Sequence, residues 1–274
     1  MLPYLRETVE KHGLLASKAL GQNFLLDRNI TNKIIRLSLN RQGISSFAGC
    51  NVCEIGPGPG GLTRAVLEEN PDSLTVIEMD PRCIAIMEEL KAETTIPFRI
   101  INGDALTFDL RREIETPRQI VSNLPYNVSV PLLTGWLKQA DSYRAMTLMF
   151  QKEVAERITA PTRCKDYGRL SVLAQLTCNI AKLVELPPEC FTPAPKIRST
   201  VLLFMPKAEI PAADLLEKVE KVTSLAFGQR RKMLRQSLKS MPKLLEKFPE
   251  LGIEATARAE ELPPEIFLRL AASL

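Results

Sequence analysis

Val52-Cys53-Glu54-Ile55-Gly56-Pro57-Gly58-Pro59-Gly60-Gly61-Leu62-Thr63 constrains the fold of this chain more than any other stretch, because an apolar strand there runs into a glycine turn and then into a helix-like segment. Glycine opens backbone conformations closed to other residues and lets the chain approach a ligand closely. Such a turn also serves as a plain strand-to-helix connection, so the spacing to the next acid matters. About twenty residues on, Ser73-Leu74-Thr75-Val76-Ile77 reads as a second strand ending at Glu78. A Rossmann-type unit places an acid there, where its carboxylate accepts two hydrogen bonds from a vicinal diol.

The alternation continues along the chain. After Asp27, a helix N-cap with Ile30, Ile34 and Leu37 on one face, strand-like runs fall near 51–55, 73–77, 97–101, 119–122 and 145–150, with two more at 181–186 and 200–204. Strands separated by helical patterns predict a doubly wound α/β sheet. From about residue 208 the strand signals stop, and amphipathic helical patterns run on, interrupted by Pro242, Pro249 and Pro263-Pro264. The expected division is a ligand-binding domain over 1–207 and a helical domain over 208–274. A chain of 274 residues with 45% hydrophobic and 25% charged residues can bury a core of that size.

The glycine turn reads Glu54-x-Gly-x-Gly-x-Gly, with Pro57 and Pro59 inside it. This is not the Gly-x-Gly-x-x-Gly register that sets a helix N-terminus against pyrophosphate, and it points away from dinucleotides. The strand at 97–101 is followed by Asn102-Gly103-Asp104-Ala105, which presents a second acid suited to an adenine amino group. An Asp after Gly is as often an Asx turn or helix cap.

Gln119-Ile120-Val121-Ser122 leads into Asn123-Leu124-Pro125-Tyr126. At a strand's carboxyl end this puts a carboxamide, a backbone carbonyl and an aromatic face together, which is equipment for gripping an exocyclic amine on a flat ring. The lone pair of an adenine N6 is delocalised until its hydrogens are held out of the ring plane by acceptors. The Asn123 side-chain oxygen and the Leu124 carbonyl can each take one N–H, Pro125 stiffens the turn, and Tyr126 offers a stacking face, with Phe191 as a candidate opposite wall. Stacking a base on an aromatic ring is worth ~1–3 kcal/mol. Asn is no useful base and the one histidine is His12, so positioning and electrostatics would carry the reaction.

Taken with Ser17-Lys18-Ala19-Leu20-Gly21-Gln22-Asn23-Phe24-Leu25-Leu26-Asp27, Glu78-Met79-Asp80, Gly103-Asp104-Ala105, Phe191-Thr192-Pro193-Ala194-Pro195-Lys196 and Phe227-Gly228-Gln229-Arg230-Arg231-Lys232-Met233-Leu234-Arg235, these motifs resemble the class I methyltransferases that use S-adenosylmethionine. They are most similar to the KsgA-type (RsmA) ribosomal RNA adenine N6,N6-dimethyltransferases, nearly end to end. The resemblance implies that Gln22, Asn23 and Leu25 close over the cofactor and that Gly56 and Gly58 approach its methionine part. It further implies that Glu78 holds the ribose and Asp104 the adenine amine, with Glu54, Ala105 and Asn123 also in cofactor contact. Two departures stand out: Ile197-Arg198-Ser199 replaces the usual Val-Asp-Ser, and Pro59 sits where Leu or Met is common. The implied reaction is dimethylation of two adjacent adenosines near the 3′ end of small-subunit (16S) ribosomal RNA, in an assembling 30S-type subunit.

Net charge is only +4, so nucleic-acid binding rests on placement. Arg230, Arg231, Lys232, Arg235, Lys239, Lys243 and Lys247 face one acid, Glu246, over that stretch. On one helix, Arg231, Arg235 and Lys239 would align opposite Phe227, Leu234, Leu238 and Met241, forming a phosphate-contacting face that Lys18 and Lys196 could extend. A solvated helix face has the same composition. The six cysteines are scattered, and Cys50-Asn51-Val52-Cys53 has no second pair to complete a metal site, so neither metal nor disulfide is expected. No apolar run reaches the roughly 18 residues of a membrane span. Arg6, Glu7 and Glu10 occupy the place of a signal peptide's apolar run, so a cytoplasmic location is expected; the sequence carries no reading of oligomeric state, for which monomer is the default. Three rivals stay open: a non-catalytic ribosome-assembly or transcription factor, a DNA adenine N6-methyltransferase, and a nicotinamide oxidoreductase.

Overall fold

The computed structural model describes residues 5–14 and 23–274. In chain order the elements are α1 (Leu5–Lys11), β1 (Phe24–Leu25), α2 (Arg28–Gln42), β2 (Asn51–Ile55), α3 (Gly61–Leu67), β3 (Ser73–Glu78), α4 (Pro81–Ala92), β4 (Phe98–Asn102), α5 (Leu110–Glu113), β5 (Arg118–Asn123), α6 (Ser129–Leu137) and β6 (Ala145–Gln151). Then come α7 (Lys152–Thr159), α8 (Arg169–Thr177), β7 (Cys178–Leu186), β8 (Phe191–Thr192), β9 (Ser199–Pro206), α9 (Ala213–Gly228), α10 (Leu234–Ser237), α11 (Pro242–Glu246) and α12 (Pro264–Ala272).

Seven strands form one sheet in the order β4-β3-β2-β5-β6-β9-β7. The pairings β2 with β3, β3 with β4, β2 with β5 and β5 with β6 are parallel, whereas β9 runs antiparallel to β6. Parallel strands are covered on both faces, which is why Val52–Ile55, Leu74–Ile77 and Ile120–Ser122 are buried without alternation. The expected doubly wound α/β sheet is present, and its strands start and end within three residues of the expected places. Chain direction across the sheet reverses between β2 and β5. That switch point opens a crevice at the strands' carboxyl ends, where the glycine turn follows β2 and the Asn123 turn follows β5.

Local chemistry sets the helix starts. Asp27 accepts from the Asn29 amide at 2.8 Å and caps α2; Asp80 caps α4, with Pro81 at its first position. The buried face of α2 is Thr31, Ile34, Ile35, Ser38 and Leu39, rotated from the expected Ile30, Ile34, Leu37 stripe. Ser38 on this face shares a buried 2.6 Å hydrogen bond with Thr147 of β6, and Leu37 is half-buried.

Contacts divide the chain into two units. One takes residues up to Leu133 with Ser142–Lys152 and Ala181–Met205; the other takes Thr134–Asp141, Glu153–Ile180 and Pro206–Leu274. The sequence boundary at 207/208 therefore meets the last stretch of the second unit and misses its earlier stretches. Helices α7 and α8 read as crossovers in an alternating pattern, yet α8 packs on α9 and α12. That unit has its own core, in which the Tyr167 hydroxyl donates to the Leu262 carbonyl at 2.9 Å and the Tyr167 ring meets Phe227 edge-on at 5.8 Å.

The basic stretch is not one helix. Helix α9 stops at Gly228, and non-helical backbone at Met233 (φ −62°, ψ 145°, extended) and at Met241 (φ −127°, ψ 68°) separates α9, α10 and α11. Pro242 then starts α11. Leu234 and Leu238 are nonetheless buried, while Arg231, Lys232, Arg235 and Lys239 are exposed.

Candidate functional site

A cleft of about 290 Å³ opens at the switch point. It gathers Asn23, Leu25, Glu54, Gly56, Gly58, Glu78, Asp104, Ala105, Asn123, Leu124, Pro125 and Tyr126 along its walls, most of the residues that the motifs single out. Lys18 and Gln22 lie outside the described residues. Phe191 does not join the others: it is 4% exposed, packed in the core of the first unit, and held on β8 opposite Leu25 of β1. Lys196 is exposed in the first unit, and Arg230 is tied within the second, where it donates to the Lys165 carbonyl at 2.6 Å and sits 6.0 Å over the Phe227 ring.

The glycine turn is shaped for close approach. Gly58 has φ +55°, and a Cβ there would stand 3.0 Å from the Phe24 ring. Gly61 begins α3 so near β1 that a Cβ would lie 2.1 Å from the Leu25 carbonyl oxygen, so no side chain fits at that crossing. Beneath the turn, the Ser122 hydroxyl donates to the Ile55 carbonyl at 2.6 Å and locks β5 to β2.

Three acids stand along the cleft, each held differently. Glu54 is 1% exposed and accepts from the Thr63 hydroxyl at 2.7 Å. Burial, with a smaller push from Glu78, raises its carboxyl to about 8 against one lowering hydrogen bond from Thr63, so it is largely protonated at neutral pH. Glu78 accepts three backbone amides: Met79 at 2.8 Å and Asp80 at 2.9 Å on one oxygen, Gly58 at 3.2 Å on the other. Burial still moves its pKa upward. Asp104 uses one oxygen to cap the short turn at Leu106 (3.0 Å) and reaches the cleft as well, so the cap and the binding readings coexist.

At the end of β5 the Asn123 amide nitrogen donates to the Asn23 carbonyl at 3.1 Å. That bond orients the carboxamide and leaves its oxygen as an acceptor. No described donor takes the Leu124 carbonyl. The Tyr126 hydroxyl shares a 3.0 Å hydrogen bond with Ser199, which fixes the ring, and burial keeps the phenol above its usual pKa and neutral. Thr63 and Ser199 stand within the quoted motifs, where sequence gives them no role: their partners, Glu54 nine residues away and Tyr126 on another segment, are shown only by the fold. Met79, quoted only as a spacer, is an exposed apolar side chain on the cleft wall.

Among the described residues, no group of three or more His, Cys, Asp or Glu could hold a metal ion. Cys50 and Cys53 are both buried, and the Cys50 sulfur accepts from Gln119 at 3.4 Å and Arg144 at 3.3 Å. The arrangement as a whole can seat a ligand with a diol, an amine and positive charge beside a planar ring whose amine faces two acceptors.

Comparison with known proteins bears on this geometry. Residues 13–274 match the ribosomal RNA adenine dimethylase family. The ribosomal RNA small subunit methyltransferase A of Paramagnetospirillum magneticum is 47% identical over 273 residues, covering 100% of this chain and 95% of that protein. Its counterpart from Rhodospirillum rubrum is 45% identical over 270 residues, covering 98% and 92%. Among solved structures, a dimethyladenosine transferase from Plasmodium falciparum superposes with a TM-score of 0.74 at 23% identity, over 89% of this chain and 94% of that one, and speaks for the fold. The 23S rRNA methyltransferase ErmE gives 0.65 at 25% identity over 92% and 99%.

Proposed function

The chain belongs to the ribosomal RNA adenine dimethylase family, and on that premise we propose how its own residues carry the reaction. It is an S-adenosylmethionine-dependent methyltransferase that dimethylates adenine in small-subunit ribosomal RNA. The finer reading has as targets the N6 atoms of two adjacent adenosines near the 3′ end, met in an assembling 30S-type subunit by a cytoplasmic monomer. Among the described residues no helix is long and apolar enough to cross a membrane.

The cleft fits the cofactor. Glu78 and Asp104 suit a ligand that carries a ribose diol and an adenine amine, Glu54 stands on the same wall, and Gly58 keeps clear the space that a Cβ would fill. When bound, S-adenosylmethionine supplies a methyl group on a positively charged sulfur. Glu78 accepts from a ribose hydroxyl with the one lone-pair site, on Oε2, left after its three amide bonds, and the second oxygen of Asp104 accepts from the adenine amine.

The single observation that carries the catalytic reading is the Asn123 carboxamide, whose nitrogen is committed to Asn23 and whose oxygen is therefore presented as an acceptor. The Asn123 oxygen and the Leu124 carbonyl each take one N–H of the target amine, drawing nitrogen toward tetrahedral geometry with its lone pair free. Tyr126 stacks on the flipped base, its hydroxyl held by Ser199. As the N–C bond forms, the methyl group would part from sulfur, which keeps the bonding pair, and the amine becomes cationic and acidic and gives its proton to water. The one histidine is bound to Glu89 at 3.1 Å and takes no part.

Asn123→Ala tests this directly. Methyl transfer should fall by about 10²–10³-fold, the loss seen when one preorganised polar group is removed from a reacting centre, while binding to small subunits persists. Transfer at the parental rate would refute the acceptor role.

A further inference from the structure

One cluster of charge outside the cleft remains unexplained by the reaction. Glu185 on β7 meets three cations at once: Lys182 at 2.8 Å, Lys152 at 3.2 Å and the Nε of Arg198 at 2.5 Å. All four residues belong to the first unit. The three cations hold the Glu185 carboxyl down at about 2, so it stays charged, and one carboxylate against three cations leaves a local excess of two positive charges. Exposed ion pairs are weak because solvent screens them, and mutual repulsion of the cations weakens these further. Folding alone gives little reason for such an excess.

Its position is informative. Ser199, the residue after Arg198, is the one that holds the Tyr126 hydroxyl. In register, Asn123 stands opposite Met149, and Gln151, two residues further along β6, stands opposite Ser199. The Lys152 amide then donates to the Arg198 carbonyl at 2.9 Å. The cluster thus lies at the strand ends that hold the base-gripping turn. Its donors are also available: Arg198 uses Nε on Glu185, no described partner takes its two Nη nitrogens, and the side chains of Lys152, Lys182 and Arg198 are 40%, 54% and 49% exposed. A guanidinium fork and two ammonium groups side by side match the oxygens of phosphodiesters. Exposed Lys196 lies two residues before Arg198 on the same segment.

We propose that Lys152, Lys182 and Arg198, gathered on Glu185, form a shelf beside the base pocket that binds the RNA phosphates flanking the target adenosine, an inference that rests on the RNA-methyltransferase reading above. Glu185 neutralises one unit of the charge it gathers, and the uncompensated remainder does the binding.

The test is binding of the full chain to unmethylated small ribosomal subunits across a potassium chloride series at fixed magnesium. Arg198→Gln and Lys182→Gln should each weaken binding several-fold at low salt and reduce the slope of log Kd against log salt by about 0.7–0.9, the change for one lost phosphate contact. Glu185→Gln, which strips the cations of their counter-ion, should bind at least as tightly as the parent, with a slope at least as steep. Melting temperature and equilibrium dialysis of S-adenosylmethionine show whether each variant remains folded. Slopes coincident with the parent in both folded cation variants would overturn the shelf, as would weaker binding at unchanged slope in a folded Glu185→Gln. A parental chain that neither binds nor methylates the subunits would overturn the underlying reading as well, so the two failures are told apart.

Discussion

Replacing Glu54 by Gln should flatten part of the pH dependence of stability. Glu54 lies at 1% exposure on the first central strand, and burial lifts its carboxyl from an ordinary 4.5 to about 8. The folded protein therefore holds this proton more tightly than the unfolded chain. Its stabilising effect is complete below about pH 4.5 and is lost as pH rises to about 8. At about 1.4 kcal/mol for each pH unit, that window of 8 − 4.5 = 3.5 units sets an upper bound of about 5 kcal/mol on the loss. Gln keeps the shape and an oxygen for the Thr63 hydroxyl but does not titrate. Urea unfolding of parent and Glu54→Gln at pH 5 and pH 9 should give closely matched stabilities at the lower pH and a variant more stable by several kcal/mol at the higher. Acids not coupled to Glu54 titrate in both proteins and cancel in the difference, while Glu78, whose repulsion is a smaller part of the Glu54 shift, contributes less than burial does. The same difference at both pH values would refute the account of Glu54 as a buried, protonated acid. A second consequence concerns the cationic cofactor, which should bind the parent more tightly above pH 8 than at pH 6, with little such dependence in the variant.

Three further outcomes follow from the geometry. Gly58→Ala forces a Cβ to 3.0 Å from the Phe24 ring at φ +55°, a conformation costing roughly 1–2 kcal/mol for an L-residue; equilibrium dialysis should show cofactor affinity at least about fivefold weaker, and unchanged affinity would contradict the close-approach role. Phe191→Ala should cost about 3–5 kcal/mol of stability in urea unfolding, since the ring is core; full stability with only a raised KM for RNA would restore it as a stacking wall. Tyr126→Ala should lower kcat/KM by the ~1–3 kcal/mol of base stacking, and Ser199→Ala by the ~0.5–1.5 kcal/mol of one hydrogen bond; equal effects from both would mean that the ring's fixation, not its face, matters.

The sheet was legible because buried parallel strands are short apolar runs between turn residues, and the cleft followed because its glycine turn, Glu78, Asp104 and Asn123 all sit where strands end. What escaped were choices of partner. The runs β1 and β8 are two residues each, too short for any periodicity, yet their pairing removes Phe191 from the cleft. Helices α7 and α8 carry ordinary amphipathic patterns, which state that a face is apolar but not which core receives it. Arg230–Lys247 has the spacing of one helix, but Leu234 donates its amide to the Ala257 carbonyl, and this long-range bond favours a broken path. Hydroxyl partners such as Thr63 to Glu54 and Ser199 to Tyr126 depend on three-dimensional proximity alone. Arg198, set apart in sequence as a departure without a role, meets Glu185 and Lys182 of β7 and Lys152 of α7 only in the folded chain, the placement on which the proposed shelf rests.

The most direct test of the central claim is transfer of labelled methyl groups from S-adenosylmethionine to small ribosomal subunits that lack the modification, followed by nucleoside digestion and mass analysis. The account predicts N6,N6-dimethyladenosine at two adjacent positions near the 3′ end of the RNA. Tight binding to the same subunits with no methyl transferred would contradict it and favour an assembly factor that keeps the fold without the chemistry.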